Sequence, residues 1–202
     1  MNVLTNIAEL TPAAGFVLLV LLIFFNSFEL KKKGVQVSAA KTSNPGNIKW
    51  VYPVFAIFFL LFLTEIFKSL FNFSLLPKVL TNVLFNSLAI RLTGVLAIFI
   101  SVFILKITLH HFGNSLRFGL NESNIGKLVT TEIFARSRNP FFLSLLLFFI
   151  GTALVFPNFF FLIFAVSAFV GIHFSILKEE KFMQQVYGEE YANYATKVRR
   201  YF

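Results

Sequence analysis

Two apolar runs stand back to back in the last third of the chain, residues 140–156 and 159–177, with only Pro157-Asn158 between them. Runs of this length and composition form helices that are apolar all round, which belong in a protein core or in lipid. A two-residue break forces the pair to fold against each other as a hairpin. Three more apolar runs precede them, at 12–28, 50–67 and 88–109. Only 13% of the 202 residues are charged and 57% are hydrophobic, against roughly 25% charged in a soluble domain. That much apolar surface exceeds what one core absorbs, so lipid must solvate part of it. The expected fold class is all-α: a polytopic membrane protein of about five transmembrane helices, with a C-terminal helical hairpin and a cytoplasmic tail helix. It reads as one membrane domain over 1–202, with no internal repeat.

Charge sets the expected direction of the spans. Lys31, Lys32, Lys33, Lys41 and Lys49 follow the first run, and Arg117, Lys127, Arg136 and Arg138 follow the third. The tail adds Lys178, Lys181, Lys197, Arg199 and Arg200, whereas the opposite side has only Lys68 and Lys78. Positive residues favour the cytoplasmic side, so the N-terminus is expected outside and the C-terminus in the cytoplasm. The first eleven residues hold no Lys or Arg, so the first run reads as a retained span rather than a signal peptide. The net charge of +9 lies in loops between apolar runs and not along one polar face, which argues against nucleic acid.

Residue types narrow the chemistry. Cysteine and aspartate are absent, which removes disulfides, thiolate metal sites and a cysteine nucleophile. Adjacent His110 and His111 lack the spacing of a helical metal pair. Within the spans, Glu65 and Lys68 are three apart and suit a local ion pair. Lys106 and Arg91 are expected to snorkel to opposite interfaces. His173 lies inside the last run, where it is either hydrogen-bonded to a neighbouring helix or functional. Gly151 and Gly171 could allow close helix approach.

Two polar blocks bracket the hairpin: LVTTEIFARSRNPFF at 128–142 and EEKFMQQVYGEEYANY at 179–194. In the first, Asn139 reads as a helix N-cap and Pro140 as the first helical residue. Arg136 and Arg138 crowd that helix start and add to its partial positive charge, a combination suited to a carboxylate or phosphate. In the second, Glu179 and Glu180 could bind an ammonium or a ribose hydroxyl. Tyr187, Tyr191 and Tyr194 either anchor at the interface or cover a planar ring. Gly188 reads as a helix end. The hairpin brings both blocks to one membrane face, where a zwitterion would find partners of both signs.

At these residues the chain resembles the integral-membrane methyltransferases of the isoprenylcysteine carboxyl methyltransferase and phospholipid methyltransferase group. The resemblance rests on Leu128-Val129-Thr130, Phe134, Arg138-Asn139-Pro140 and Phe142, then Glu179-Glu180, Tyr187-Gly188, Tyr191 and Tyr194, and covers about 88–202. Glu132 stands at the group's glycine, Asn139 at its histidine, and Phe134 and Phe142 at its tyrosines. Ser175 falls near the arginine that contacts substrate in the prenylcysteine enzymes.

The resemblance implies S-adenosylmethionine as methyl donor and a lipophilic acceptor: a lipid carboxylate, a phospholipid amine or a small thiol. It implies donor contacts at Gly126, Lys127, Leu128 and Val129, a pocket wall of Phe134, Asn139, Pro140, Phe141 and Phe142, and a holding role for Glu179. Arg138 and Glu180 are the catalytic candidates, and Arg136, His173 and Ser175 the substrate-side ones; no metal is expected. It further implies a variable N-terminal helical pair at 1–87 and a catalytic core at 88–202, made of a cofactor loop 113–140, the hairpin 140–177 and the tail 178–202. The asparagine variant points to a bacterial inner membrane. Two other readings stay open: an NADPH-dependent membrane reductase of the sterol reductase type, and a non-enzymatic small transporter or assembly protein.

Overall fold

The computed structural model describes residues 3–32, 51–71, 73–112 and 127–202. Among them the regular structure is helical throughout. Helix α1 spans Val3–Lys32, α2 Val51–Ile66, α3 Lys68–Phe71, α4 Lys78–Thr81, α5 Leu88–Phe112, α6 Pro140–Val155, α7 Phe159–Tyr187 and α8 Glu189–Lys197. A single 3-10 turn, Glu132–Ala135, precedes α6. Three helices are long and apolar enough to cross a membrane, over Leu4–Lys32, Leu88–Phe112 and Phe159–Tyr187. The apolar helices Pro53–Ile66 and Pro140–Val155 are shorter. The chain is an integral membrane protein.

Two helices outrun the apolar runs that signal them. α1 begins nine residues before Pro12, which lies inside the helix and is fully buried. Its missing N–H costs one intrahelical bond, which Pro12 tolerates within a packed bundle. α7 does not stop where the apolar run ends at Leu177. It continues to Tyr187 and carries Glu179 and Glu180 on its polar extension.

α5 and α6 form the most closely packed pair. The cause is Gly94 facing Gly151: a Cβ on Gly94 would lie 2.6 Å from the Gly151 carbonyl oxygen, and one on Gly151 would lie 2.8 Å from the Gly94 oxygen. Bare backbones touch there, as small residues permit in membranes. Ser101 Oγ adds an interhelical bond to the Ser144 carbonyl, 2.7 Å. Gly171 plays no such part, because nothing lies within 4 Å of its Cβ position and it faces outward. Phenylalanine fills the rest of the core. Phe62 stacks on Phe164 with centroids 4.2 Å apart and meets Phe148, Phe149 and Phe161 edge-on.

Arg91 does not snorkel. Its side chain is 7% exposed and its Nη1 lies 2.7 Å from Glu9 Oε1 on α1. A buried guanidinium needs a charge partner more than it needs the interface. Glu65 and Lys68 do pair locally, at 3.8 Å. Lys106 is exposed.

Candidate functional site

The sequence separates the two polar blocks by the hairpin, and the structure joins them at Glu180. Arg138 Nη2 lies 3.2 Å from Glu180 Oε1. From the tail, Arg200 donates to the same carboxylate with Nη2 at 2.8 Å from Oε2 and Nε at 3.1 Å from both oxygens. Each partner is mostly withdrawn from solvent, with Arg200 the most exposed at 34%. The hydrogen bond to Glu180 holds the Arg200 guanidinium further up than its ordinary value. A fork of this kind fixes orientation as well as charge.

Asn139 sits at the N-cap position of α6 but its side chain does not cap. The amide Nδ2 instead donates to the Arg200 carbonyl at 3.1 Å and reaches Glu180 Oε1 at 3.5 Å. Pro140 at the first helical position has no N–H of its own to satisfy, but the cap bond to the next N–H groups of the first turn is forgone. The loop and the tail are stitched further by Arg138 N–H to the Arg199 carbonyl, 3.0 Å.

The tyrosines of α8 are buried rather than interfacial. Tyr194 donates to the Phe134 carbonyl at 2.6 Å, and its ring lies 6.0 Å from that of Tyr191. Burial pushes both phenols up, Tyr191 to about 12. Phe134 in turn meets Phe112 at the end of α5, centroids 5.1 Å apart. Gly188, with φ +51, ends α7 and turns the chain into α8.

The remaining candidates divide. Gly126 lies outside the described residues. Lys127 is exposed, Leu128 and Val129 are half-buried, Pro140 is buried, and Phe141 and Phe142 are half-buried on the first turn of α6. Glu179 is half-buried beside Glu180 and makes no hydrogen bond or ion pair among the described residues. Arg138 Nε is buried without a hydrogen-bond partner among the described residues. Arg136 is exposed. Ser175 is exposed and bonds only its own helix, at the Gly171 carbonyl. His173 Nδ1 is 2.8 Å from the Tyr201 hydroxyl, so its partner is the tail and not a neighbouring helix.

Arg200 and Tyr201 escape a sequence reading because tail arginines look like topology signals. One available signal was position: they fall within reach of a motif arginine and a motif glutamate only once α8 turns back. Glu132 adopts φ 56, a left-handed backbone at the position where the resembling group carries glycine.

The model of the family described as Phospholipid methyltransferase matches residues 87–190, just over half of the chain. The chain belongs to the phospholipid methyltransferase family, a class of integral-membrane methyltransferases. No curated protein matches it. The matched segment contains α5 to α7 and both Arg138 and Glu180, whereas Arg200 and Tyr201 lie beyond it.

Proposed function

We propose that this protein transfers a methyl group from S-adenosylmethionine to a lipophilic acceptor, with residues 88–202 as the catalytic core. The observation that carries the reading is the meeting of Arg138 and Glu180 inside the family-matched segment, beside the Glu179 carboxylate and the buried Arg138 Nε, for which the described residues offer no hydrogen-bond partner. The residues fit the donor's chemistry. Glu179 offers a half-buried carboxylate for its ammonium or ribose hydroxyls. Arg138 Nε offers a buried donor for its carboxylate. Phe141 and Phe142 supply partly exposed rings for an apolar wall.

Bound there, S-adenosylmethionine supplies a methyl group on a cationic sulfur, which leaves as a neutral thioether when the acceptor attacks in line. The protein's task is alignment and exclusion of water. Arg138 and Arg200 engage both oxygens of Glu180, so Glu180 acts by holding the loop, α7 and the tail in register. A carboxylate or thiolate acceptor needs no proton acceptor. An amine must lose a proton, and His173, paired with Tyr201, is the candidate to take it. The charge asymmetry of the loops supports a cytoplasmic position for this end, with acceptors entering from the bilayer.

Calorimetry with S-adenosylhomocysteine tests the reading. Binding is expected to the wild type and to weaken about tenfold or more in Glu179→Gln, as for loss of a charged hydrogen bond. Absence of binding to the wild type would sink it. Incubation of membranes with methyl-labelled donor, followed by separation of lipid, protein and volatile fractions, then identifies the acceptor class.

A further inference from the structure

Past α8 the tail turns back along α7 toward its apolar end. Arg200 meets Glu180, and the hydroxyl of the next residue, Tyr201, lies 2.8 Å from His173 Nδ1. The Tyr201 ring also lies 6.3 Å from that of Phe169, with the planes 29° apart. Glu180, His173 and Phe169 stand at i, i−7 and i−11, so they share one face of the helix. That stretch is about 16 Å of α7, with His173 about 10 Å from Glu180. His173 and Phe169 belong to the apolar run that ends at Leu177, so the Tyr201 ring stands at the level of lipid. Its surroundings agree, because Val170 and Phe174 are 46% and 59% exposed.

The tail is held there by polar contacts. None of residues 198–202 is buried, whereas Tyr191 and Tyr194 of the preceding helix are. The holding contacts are Arg138 N–H on the Arg199 carbonyl, Asn139 Nδ2 on the Arg200 carbonyl, Arg200 on Glu180 and Tyr201 on His173. Phe202 beyond them is 67% exposed. A segment held by hydrogen bonds and a ring contact opens at lower free energy than one with buried apolar anchors. The boundary between the two falls at Val198, where the chain leaves α8 in an extended conformation. Beneath the tail lies the centre of the site, since Glu180 is 13% exposed with Arg138 and Arg200 laid over it.

We propose that residues 198–202 form a strap that closes the bilayer side of the Glu180 site and opens as a unit, with Tyr201 on His173 as its latch. Closed, the strap keeps water from the place where methyl transfer needs a dry, fixed geometry. Open, it clears the face of α7 along which a lipophilic acceptor reaches Glu180. What passes the strap rests on the methyl-transfer reading, whereas the opening itself does not.

The chain has no cysteine, so two nitroxides can be attached at Phe202→Cys and Val166→Cys. Both sites are exposed, at 67% and 64%, and neither side chain takes part in the holding contacts. Double electron–electron resonance in nanodiscs, without donor or acceptor, is expected to give a main short distance and a minor longer one. Tyr201→Phe keeps the ring and removes only the hydroxyl. It should enlarge the longer population about fivefold, the scale of one hydrogen bond. His173→Phe should do the same, and the two together no more than either alone, as for partners in one contact. Thr196→Ala, beside the strap but with its hydroxyl bonded to its own helix at the Asn193 carbonyl, should change nothing.

A single distance that neither latch variant broadens overturns the proposal, as does equal broadening by Thr196→Ala. A phospholipid with a diazirine in its acyl chain reads the opening directly. Its labelling of residues 138–142 should rise with the longer population, and a strap that moves without raising it is not a lid. None of these readouts needs bound donor or turnover. Failure of S-adenosylhomocysteine to bind and failure of the strap to open are therefore separate results.

Discussion

Glu180 and Arg200 lie 20 residues apart and meet in a forked ion pair, with the guanidinium Nε 3.1 Å from both carboxylate oxygens. The pair converts a basic tail into a structural element of the site. Arg138 shares the same carboxylate, so Glu180 is the hub and each arginine a spoke.

Removing the hub should cost more than removing a spoke. Glu180→Gln strands two guanidiniums and is expected to destabilise by about 2–3 kcal/mol, reduced from the buried-pair range because Arg200 is a third exposed. Arg200→Ala leaves Arg138 on Glu180 and should cost about 1 kcal/mol. Reversible unfolding in mixed micelles measures both. Equal costs would remove the hub assignment.

Glu132 carries a left-handed backbone without being glycine. Relief of that strain is worth about 1–2 kcal/mol, set against about 0.5–1 kcal/mol for the looser unfolded chain of a glycine. Glu132→Gly should therefore raise the melting temperature slightly. Glu132→Ala, which keeps the Cβ, should not, and a lower melting temperature for Glu132→Gly would contradict the strain.

Gly94→Ala and Gly151→Ala each press a methyl group into backbone and should destabilise by about 1–3 kcal/mol. Gly171→Ala meets open space and should be neutral or stabilising by up to about 1 kcal/mol. Thermal melts of the three variants side by side distinguish a contact glycine from an incidental one.

Alkaline pH should loosen α8. Tyr191 is held up to about 12 by burial, then by the charge of Glu180, against an ordinary value of 10.0. Tyr194 is raised too, by burial and by Tyr191. The unfolded chain gives up these protons near pH 10 while the folded chain retains them. Their contribution is complete below pH 10 and is lost as pH rises through about 12. Ultraviolet titration should show three late-ionising tyrosines, because burial raises Tyr201 as well as Tyr191 and Tyr194, and Tyr191→Phe should reduce the alkaline loss of stability. Normal titration of all five tyrosines would refute the burial.

The hairpin, Pro140 at a helix start and Gly188 at a helix end were legible because each follows from local chemistry. The length of α7 was not, since a run of apolar residues marks the lipid and not the helix, and a polar helix can continue into water. Asn139 and Arg91 misled for a related reason. Local rules assign a cap to one and an interface to the other, but long-range partners, Arg200 and Glu9, outcompete both. The joining of the blocks at Glu180 was readable from the hairpin, whereas the tail's part in it depends on the turn at Gly188.

α7 also works as a ruler. Its 29 residues measure about 43 Å, against a hydrocarbon core of about 30 Å. One rigid rod thus carries the Glu180 cluster beyond the apolar stretch of α7, and the proposed function requires an acceptor from the bilayer to climb to it. A thicker bilayer shortens that climb and a thinner one lengthens it, so membrane thickness becomes a control on access that no side chain encodes.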